Sequence, residues 1–265
     1  MLPPFAIRRP TRLADAIALI NDDCVPYWGG TELLLAMKMG LLRAEALVDL
    51  KAIAELEGIR REGDSLVIGA GVSHDEIACN DLVREHANLL AVAEATVGNA
   101  RVRAQGTIGG NLCFAEPRSD VATALIALDA TVRLISAEGA RTLSVAEFIL
   151  GPYWTQREST ELLVDVSIPL PAAVGVYLKF QTVERPTVAV AAVRRGVAGV
   201  RIVIGAVSEV PVVLDRDSIS EVDAAAVAAD IEPIPDLTGS VRYKRHVTEV
   251  YIRRAIKGLN GVGNV

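Results

Sequence analysis

The sequence predicts an α+β fold, and two features of the chain support this prediction. Up to Pro171, short apolar segments typical of strands alternate irregularly with amphipathic segments typical of helices. Beyond Pro171, residues 175–214 alternate apolar and polar side chains with a period of two, which predicts a three-stranded antiparallel meander. Helical patterns follow at residues 221–230 and 241–259. We therefore place a domain boundary near residue 172.

The composition is that of an ordinary globular protein. Of the 265 residues, 51% are hydrophobic and 23% are charged, and the formal net charge is −6. The negative charge argues against nucleic acid or an anionic membrane as partner. No apolar run reaches the roughly 18 to 20 residues of a membrane span, and the first residues lack the apolar segment of a signal peptide. We therefore expect a cytoplasmic protein.

The first third of the chain alternates helix and strand signals. Thr11 is predicted to cap a helix, and a short strand runs from Cys24 toward the glycines at positions 29 and 30. A second helix follows Thr31 and ends at Gly40. The segments at 47–50 and 65–71 are predicted strands, with a hairpin turn before the second of them, and Ser73 is placed to start a helix.

The middle of the chain is predicted to be mainly helical. A Gly98–Asn99 break divides one helical pattern, and another helix is predicted from about Asp120 to Leu128. A hairpin through Glu138–Gly139 follows. The segment at 161–171 is a predicted strand ended by prolines.

Two glycine-rich turns are the main candidate ligand-binding features. The sequence WGGTELLLAMK covers residues 28–38, and GTIGGNL covers residues 106–112. Glycine allows close approach of a ligand, and a helix that starts after such a turn offers free N–H groups. Two such turns that converge suit a pyrophosphate, whereas each turn taken alone is better explained as a tight connection. Neither matches the dinucleotide fingerprint G-x-G-x-x-G or a P-loop.

With both turns in view, the chain resembles the FAD-binding medium subunit of the molybdenum hydroxylases, the group that includes xanthine dehydrogenase and carbon monoxide dehydrogenase. The resemblance is carried by WGGTELLLAMK, by RAQGTIGGNL at 103–112 with Asp120 behind it, and by the terminal VRYKRHVTEVYIRRAI at 241–256. It implies a two-subdomain FAD-binding fold of the vanillyl-alcohol-oxidase (PCMH) type, followed by a three-stranded antiparallel sheet with helices. We assign residues 1–55 and 56–172 to the two FAD-binding subdomains and residues 173–265 to the C-terminal domain.

The resemblance also implies a set of cofactor-binding residues. The first turn is expected to wrap the pyrophosphate of FAD through Tyr27, Trp28, Gly29, Gly30, Thr31, Glu32, Leu33 and Leu34. The second turn is expected to form the opposite wall through Thr107, Gly109, Gly110 and Asn111. Three further positions each have a functional and a structural interpretation. Asp120 either binds a ribose or ribityl hydroxyl of FAD or is a plain N-cap. Leu163 either lines the cofactor pocket or is a core residue, and Lys179 either lies near the flavin or is an exposed strand residue.

The sequence offers no obvious catalytic or metal-binding set. Cys24, Cys79 and Cys113 are far apart and no Cys-x-x-Cys occurs, so reduced thiols are expected rather than disulfides, zinc ligands or iron–sulfur ligands. The three histidines are also far apart. His74 follows a glycine turn, where we favour a loop or cap role over a contact with the cofactor.

These features favour an electron-transfer flavoprotein, because the flavin supplies the chemistry and the protein supplies binding and orientation. The resemblance implies a molybdopterin-containing large subunit, a small subunit with [2Fe–2S] clusters and a dimer of heterotrimers. FAD would take electrons from the clusters and pass them to NAD⁺, oxygen or another acceptor. Two alternatives remain: a stand-alone FAD-dependent oxidoreductase of the same fold, and a flavin-free assembly subunit.

Overall fold

The computed structural model describes residues 2–262, and these residues form three main sheets that follow one another along the chain. The first sheet is parallel, with its last strand in the middle. Its elements are β1 (Ala6–Arg8), α1 (Leu13–Ile17), β2 (Cys24–Tyr27), α2 (Leu33–Lys38) and β3 (Ala46–Asp49). The predicted cap at Thr11 is wrong, because Arg12 has the extended backbone of the N-cap position and no side chain caps α1. Gly40 ends α2 with a φ of 75°, as predicted.

The second sheet is antiparallel and packs one face into the central core. Its strands lie in the order β4-β5-β10-β6-β7. The strands of this region are β4 (Ile59–Glu62), β5 (Ser65–Gly69), β6 (Thr131–Ser136), β7 (Gly139–Ser144), β8 (Ile149–Gly151), β9 (Trp154–Thr155) and β10 (Leu162–Pro169). Both predicted hairpins are confirmed, because β4 pairs with β5 and β6 pairs with β7 through short turns.

Seven helices lie between β5 and β8 in the chain, six before the β6–β7 hairpin and one after it. They are α3 (His74–Cys79), α4 (Asp81–His86), α5 (Asn88–Ala95), α6 (Ala100–Gln105), α7 (Ile108–Phe114), α8 (Asp120–Ala127) and α9 (Val145–Phe148). Ser73 caps α3 as predicted, since its hydroxyl accepts from the Glu76 N–H. The predicted break at Gly98–Asn99 is also confirmed, and Asn99 caps the helix that follows it.

The C-terminal sheet has four strands rather than the three that the sequence predicts. Its strands are β11 (Gly175–Gln181), β12 (Pro186–Arg195), β13 (Gly199–Gly205) and β14 (Val212–Arg216), and they pair in chain order. The chain reverses after Ala206, which has a φ of 67°, so the apolar residues beyond Pro211 return as a separate edge strand. Helices α10 (Ala224–Asp230) and α11 (Val241–Val262) follow as predicted.

One strand connects two hydrophobic cores. In β10, Leu162 and Val164 pack into the N-terminal core, whereas Leu163 and Val166 pack into the central core. All four side chains are at most 4% exposed, so each contributes roughly 1.5 to 3 kcal/mol of burial. The boundaries at 55/56 and 172/173 remain predictions.

Membrane and metal features are absent from the described part of the chain. No helix between residues 2 and 262 combines the length and the apolar character that crossing a bilayer requires. The same residues contain no cluster of three or more His, Cys, Asp or Glu side chains suited to a metal ion. The three cysteines are free thiols.

Candidate functional site

A cavity of about 340 Å³ lies where both glycine turns meet the second sheet and the C-terminal domain. It is lined by all the predicted cofactor residues except Leu34 and Lys179. Leu34 instead lies under the first turn, where its N–H donates to the Gly30 carbonyl and its side chain faces Gly30. Lys179 lies one layer behind the cavity wall and contacts Asp120. Residues distant in the sequence therefore form one cavity.

The two glycine turns contact each other directly. A Cβ atom at Gly29 would lie only 1.8 Å from the carbonyl oxygen of Gln105, which leads into the second turn. Gly30 has a φ of 68°, a backbone conformation that few residues other than glycine adopt readily. Glycine is thus required at position 29 by the packing of one turn on the other.

The first turn has free backbone donors. Among residues 2–262, no hydrogen bond uses the N–H groups of residues 29–33, and all five of these residues line the cavity. Helix α2 has only six residues, so its dipole adds little and the free N–H groups are the main attraction for an anion.

The N–H groups of the second turn are already engaged. The Gly109 N–H donates to the Ala70 carbonyl at 3.0 Å, and the Gly110 N–H donates to Thr107 Oγ1 at 3.1 Å. A Cβ atom at Gly110 would meet only Thr107 Oγ1, at 3.1 Å, and otherwise open space. Gly110 therefore leaves room for a ligand, whereas the backbone donors come from the first turn.

Ser119 fixes the side-chain amide of Asn111. The Ser119 hydroxyl donates to Asn111 Oδ1 at 2.6 Å and accepts from the Ala122 N–H at 3.1 Å, as the N-cap of α8. The Asn111 NH₂ group is consequently left as a donor in the cavity wall. Because Ser119 is the cap, the alternative that Asp120 is a plain N-cap is wrong.

Asp120 belongs to a buried polar cluster at the base of the cavity. Its carboxylate accepts hydrogen bonds from the Tyr177 hydroxyl and, at 3.0 Å, from Lys179 Nζ. Burial raises the pKa of Asp120, although Lys179 and Tyr177 oppose that shift. Burial and the neighbouring Asp120 also raise the pKa of Tyr177 well above its ordinary value of 10.0, so this hydroxyl stays protonated. No motif in the sequence points to Tyr177 as part of this cluster.

Lys179 joins this cluster from the C-terminal domain. Its Nζ also donates to the Thr96 carbonyl at 2.6 Å, and its side chain is 8% exposed. The alternative of an exposed strand residue is therefore wrong. Leu163, by contrast, fits both of its alternatives, because it packs in the central core and lines the cavity.

A bulky side chain lies beside the first turn. The Trp28 ring lies over Gly71, where a Cβ atom would be 2.4 Å from the ring. Both residues line the cavity. Glycine at position 71 therefore leaves room for the Trp28 ring beside the first turn.

Arg185 spans the mouth of the cavity. Its guanidinium contacts Glu32 of the first turn at 2.7 Å and also contacts Glu116, which follows α7. The adjacent Glu184 accepts a hydrogen bond from Asn99 at 3.0 Å. The turn between β11 and β12 thus reaches both halves of the cavity wall, a contact that the sequence analysis missed.

The chemistry of the cavity fits a dinucleotide. Free N–H groups of the first turn and the Asn111 amide suit phosphate oxygens, and the Asp120 carboxylate has lone pairs left for a hydroxyl. Val97, Val102 and Leu163 supply apolar surface for ring systems. The residues present therefore match FAD, the cofactor that the resemblance implies.

Comparisons with known proteins agree with this fit. Residues 3–171 match the family described as the FAD binding domain in molybdopterin dehydrogenase. The chain is 30% identical to the glyceraldehyde dehydrogenase medium chain of Sulfolobus acidocaldarius, over 97% of this chain and 99% of that one. It is 32% identical to the carbon monoxide dehydrogenase medium chain of Hydrogenophaga pseudoflava, over 97% of both chains.

Structural similarity covers the same extent. A solved structure of carbon monoxide dehydrogenase from Hydrogenophaga pseudoflava superimposes with a TM-score of 0.88 and 29% identity, over 97% of each chain. The α+β fold with its FAD-binding domain is thereby confirmed. The chain therefore belongs to the FAD-binding subunits of the molybdopterin dehydrogenases, a family of molybdenum-containing oxidoreductases, and FAD is its cofactor.

Proposed function

We propose that this chain is the electron-transfer subunit of a heteromeric molybdenum hydroxylase. In this role it takes electrons from a [2Fe–2S] subunit and passes them to an external acceptor. The observation that supports this proposal best is the cavity in which both glycine turns meet above the buried Asp120 cluster. When bound, FAD supplies the capacity to accept electrons from one donor and release them to another.

The residues of the chain hold and orient the cofactor in this proposal. The free N–H groups at 29–33 and the Asn111 amide bind phosphate oxygens, while Asp120 accepts from a ribose or ribityl hydroxyl. Tyr177 and Lys179 keep the Asp120 carboxylate in position. Arg185 links Glu32 to Glu116 across the mouth and so limits access of water and exchange of the cofactor.

Partner chains are part of the proposal. Several relatives are named as medium chains or medium subunits, among them the nicotine 6-hydroxylase of Paenarthrobacter nicotinovorans, and such names imply companion chains. Three apolar side chains close to the first turn are exposed here: Leu35 (48%), Met39 (65%) and Leu41 (76%). Exposed apolar groups of this kind favour a surface that another chain covers. We propose that the chain assembles with a molybdopterin-containing large subunit and a [2Fe–2S] small subunit, and that two such heterotrimers form a dimer in the cytoplasm. The proposal includes no nucleic acid partner and no membrane partner.

Isolation of the chain with its genomic neighbours tests this proposal. A tagged chain co-expressed with adjacent reading frames should retain two further chains, iron, molybdenum and a flavin absorbance near 450 nm, about where oxidised flavin absorbs. Addition of the complex's substrate should bleach this absorbance, and an acceptor should restore it. A flavin-containing chain that purifies alone and turns over by itself would favour the stand-alone oxidoreductase. A complex that assembles without flavin would favour the assembly subunit.

A variant with a matched control connects the exposed surface to assembly. Leu41→Glu places a charge at the most exposed of the three apolar positions, whereas Val197→Glu changes a fully exposed residue in the turn between β12 and β13. We expect the first variant to bind FAD normally but to lose its partners, and the second to keep both. Equal retention of partners by both variants would argue against the surface at Leu41.

A further inference from the structure

A buried histidine–glutamate pair lies beside the cavity. His74 is the first residue of α3 and is 3% exposed, and Glu94 on α5 is fully buried. Their side chains are joined by a hydrogen bond of 2.6 Å between His74 Nδ1 and Glu94 Oε2. The cap or loop role expected for His74 does not explain this pair, because Ser73 caps α3.

The imidazole of His74 lies where the two glycine turns meet. The backbone N–H of His74 donates to the Gly106 carbonyl at 3.1 Å, and a Cβ atom at Gly106 would lie 3.1 Å from Nε2 of the His74 ring. Gly106 follows Gln105, whose carbonyl packs against Gly29. His74, Gly106 and Gly29 all line the cavity. The Nε2 edge of the ring is therefore at the junction of the two turns, and no hydrogen bond among the described residues uses Nε2.

The number of protons on the pair follows from its burial. The second carboxylate oxygen of Glu94 is buried without a partner, so a net negative charge on the pair would be costly. A neutral pair has one hydrogen in the bond between Nδ1 and Oε2, whichever atom carries it. Charge balance then requires a second hydrogen, and it belongs on Nε2, because the other free position, Glu94 Oε1, is buried with no acceptor for a hydroxyl. The neutral pair thus presents an N–H donor at the junction.

The neighbouring charges do not change this balance. Asp120 is paired with Lys179, so that cluster provides no surplus positive charge for Glu94. On α6, Arg103 lies 4.0 Å from Asp75 and donates to a backbone carbonyl. The remaining charged groups on the helices around the pair are exposed or half-buried: Glu76, Asp81, Arg84, Glu85, His86 and Arg101.

We propose that His74 donates a hydrogen bond from Nε2 to the diphosphate of FAD, and that Glu94 is a positioning residue that keeps this hydrogen in place. The inference depends on the proposed placement of the diphosphate at the two turns. An anionic oxygen is the acceptor that gains most from such a donor in a buried site. The first turn would contribute backbone donors from one side and His74 a side-chain donor from the other.

Two substitutions of His74 separate the role of each ring nitrogen. His74→Asn places an amide near Nδ1, where it can still bond Glu94, but it has nothing at Nε2. His74→Gln extends an amide N–H toward the Nε2 position. The flavin-free chain is titrated with FAD and with riboflavin, which has no diphosphate, and binding is followed by quenching of flavin fluorescence.

The expected affinities differ between the two variants. Loss of a hydrogen bond to a charged group should weaken FAD binding about 10- to 100-fold in His74→Asn. His74→Gln should stay within about fivefold of the wild type, and riboflavin should change less than about threefold in both. His86→Phe, a change at the half-buried histidine of α4, is the control and should change neither affinity. Equal losses for FAD and riboflavin in His74→Asn, or an unchanged affinity for FAD, would overturn the proposal.

Glu94 is tested by removing or conserving its hydrogen-bonding capacity. Glu94→Leu leaves Nδ1 without a partner and should weaken FAD binding about tenfold. Glu94→Gln should restore most of the affinity, because an amide N–H can donate to Nδ1 and leave the hydrogen on Nε2. A Glu94→Gln chain as weak as Glu94→Leu would refute the role of Glu94. Failure of the wild-type chain to bind FAD at all would instead contradict the placement of the cofactor.

Discussion

Replacement of Asp120 by asparagine is the most informative test of the buried cluster. The substitution keeps the size of the side chain and removes its charge. Tyr177 can still donate to the amide oxygen, but Lys179 loses its ionic partner and keeps only the Thr96 carbonyl. Since the Lys179 side chain is 8% exposed, water cannot replace the lost carboxylate effectively.

The size of the effect follows from the burial of the charge that is left behind. Removal of one partner from a buried ion pair costs about 3 to 5 kcal/mol, and the retained Tyr177 bond favours the lower end of that range. The substitution also removes a desolvated charge, whose burial raises the pKa of Asp120, and this reduces the cost further. We therefore expect Asp120→Asn to lower the free energy of unfolding by about 3 kcal/mol. The double variant Asp120→Asn/Lys179→Met has no unpaired charge and should lose only about 1 to 2 kcal/mol.

Urea unfolding of the flavin-free chain, followed by circular dichroism, measures these differences. Asp120→Asn alone should lose about 1 to 2 kcal/mol more than the double variant, and the two single variants together should exceed the double variant by more than that. A parallel titration with FAD should show weaker binding in every variant that changes Asp120. Strictly additive losses would refute the view that the carboxylate and the ammonium group form one energetic unit.

Three further perturbations test other parts of the structure. Gly29→Ala places a methyl group 1.8 Å from the Gln105 carbonyl oxygen, so the purified chain should show no flavin absorbance. Gly110→Ala meets mostly open space, so it should keep the fold and only weaken FAD binding in a titration. Arg185→Gln should increase the rate of FAD release severalfold in a displacement assay, because the contacts across the mouth are lost. Desolvation raises the pKa of Asp236, but hydrogen bonds, including one from Lys244, outweigh it and lower the value to about 2. Since this pKa is below the ordinary 3.8, the contact with Lys244 stabilises the fold above about pH 4, and this stabilisation is lost between pH 4 and 2. Asp236 is partly exposed, so Asp236→Asn should lower the free energy of unfolding by only on the order of 1 kcal/mol at pH 6. At pH 2 it should change almost nothing, as measured by urea unfolding.

Local sequence signals predicted much of the architecture. Glycines at turns, capping residues and the period-two pattern of strands depend on neighbours in the chain, so they are visible without a structure. The prediction of three strands at the C-terminus was one short because Pro211 interrupts an apolar run, and the return of that run as β14 depends on its pairing with β13. Thr11 was a plausible cap, but the backbone at Arg12 determines where α1 begins.

Pairings between distant residues were not predictable in the same way. Tyr177 is 57 positions from Asp120, and Glu94 is 20 positions from His74, and neither spacing matches a local motif. An isolated Tyr in a strand or Glu in a helix is typical of many proteins. Which of them meet depends on how α5 and α8 pack against the sheets, and that packing is not encoded in any short stretch.

The division of β10 between two cores has a consequence for how the protein can be altered. Because Leu162 and Val164 face one core while Leu163 and Val166 face the other, a shift of this strand by one residue would disrupt both cores at once. The N-terminal portion cannot complete its interior until a strand made more than a hundred residues later has been added. Exchange of residues 1–55 between related flavoproteins should therefore succeed only when the matching face of β10 is transferred with them.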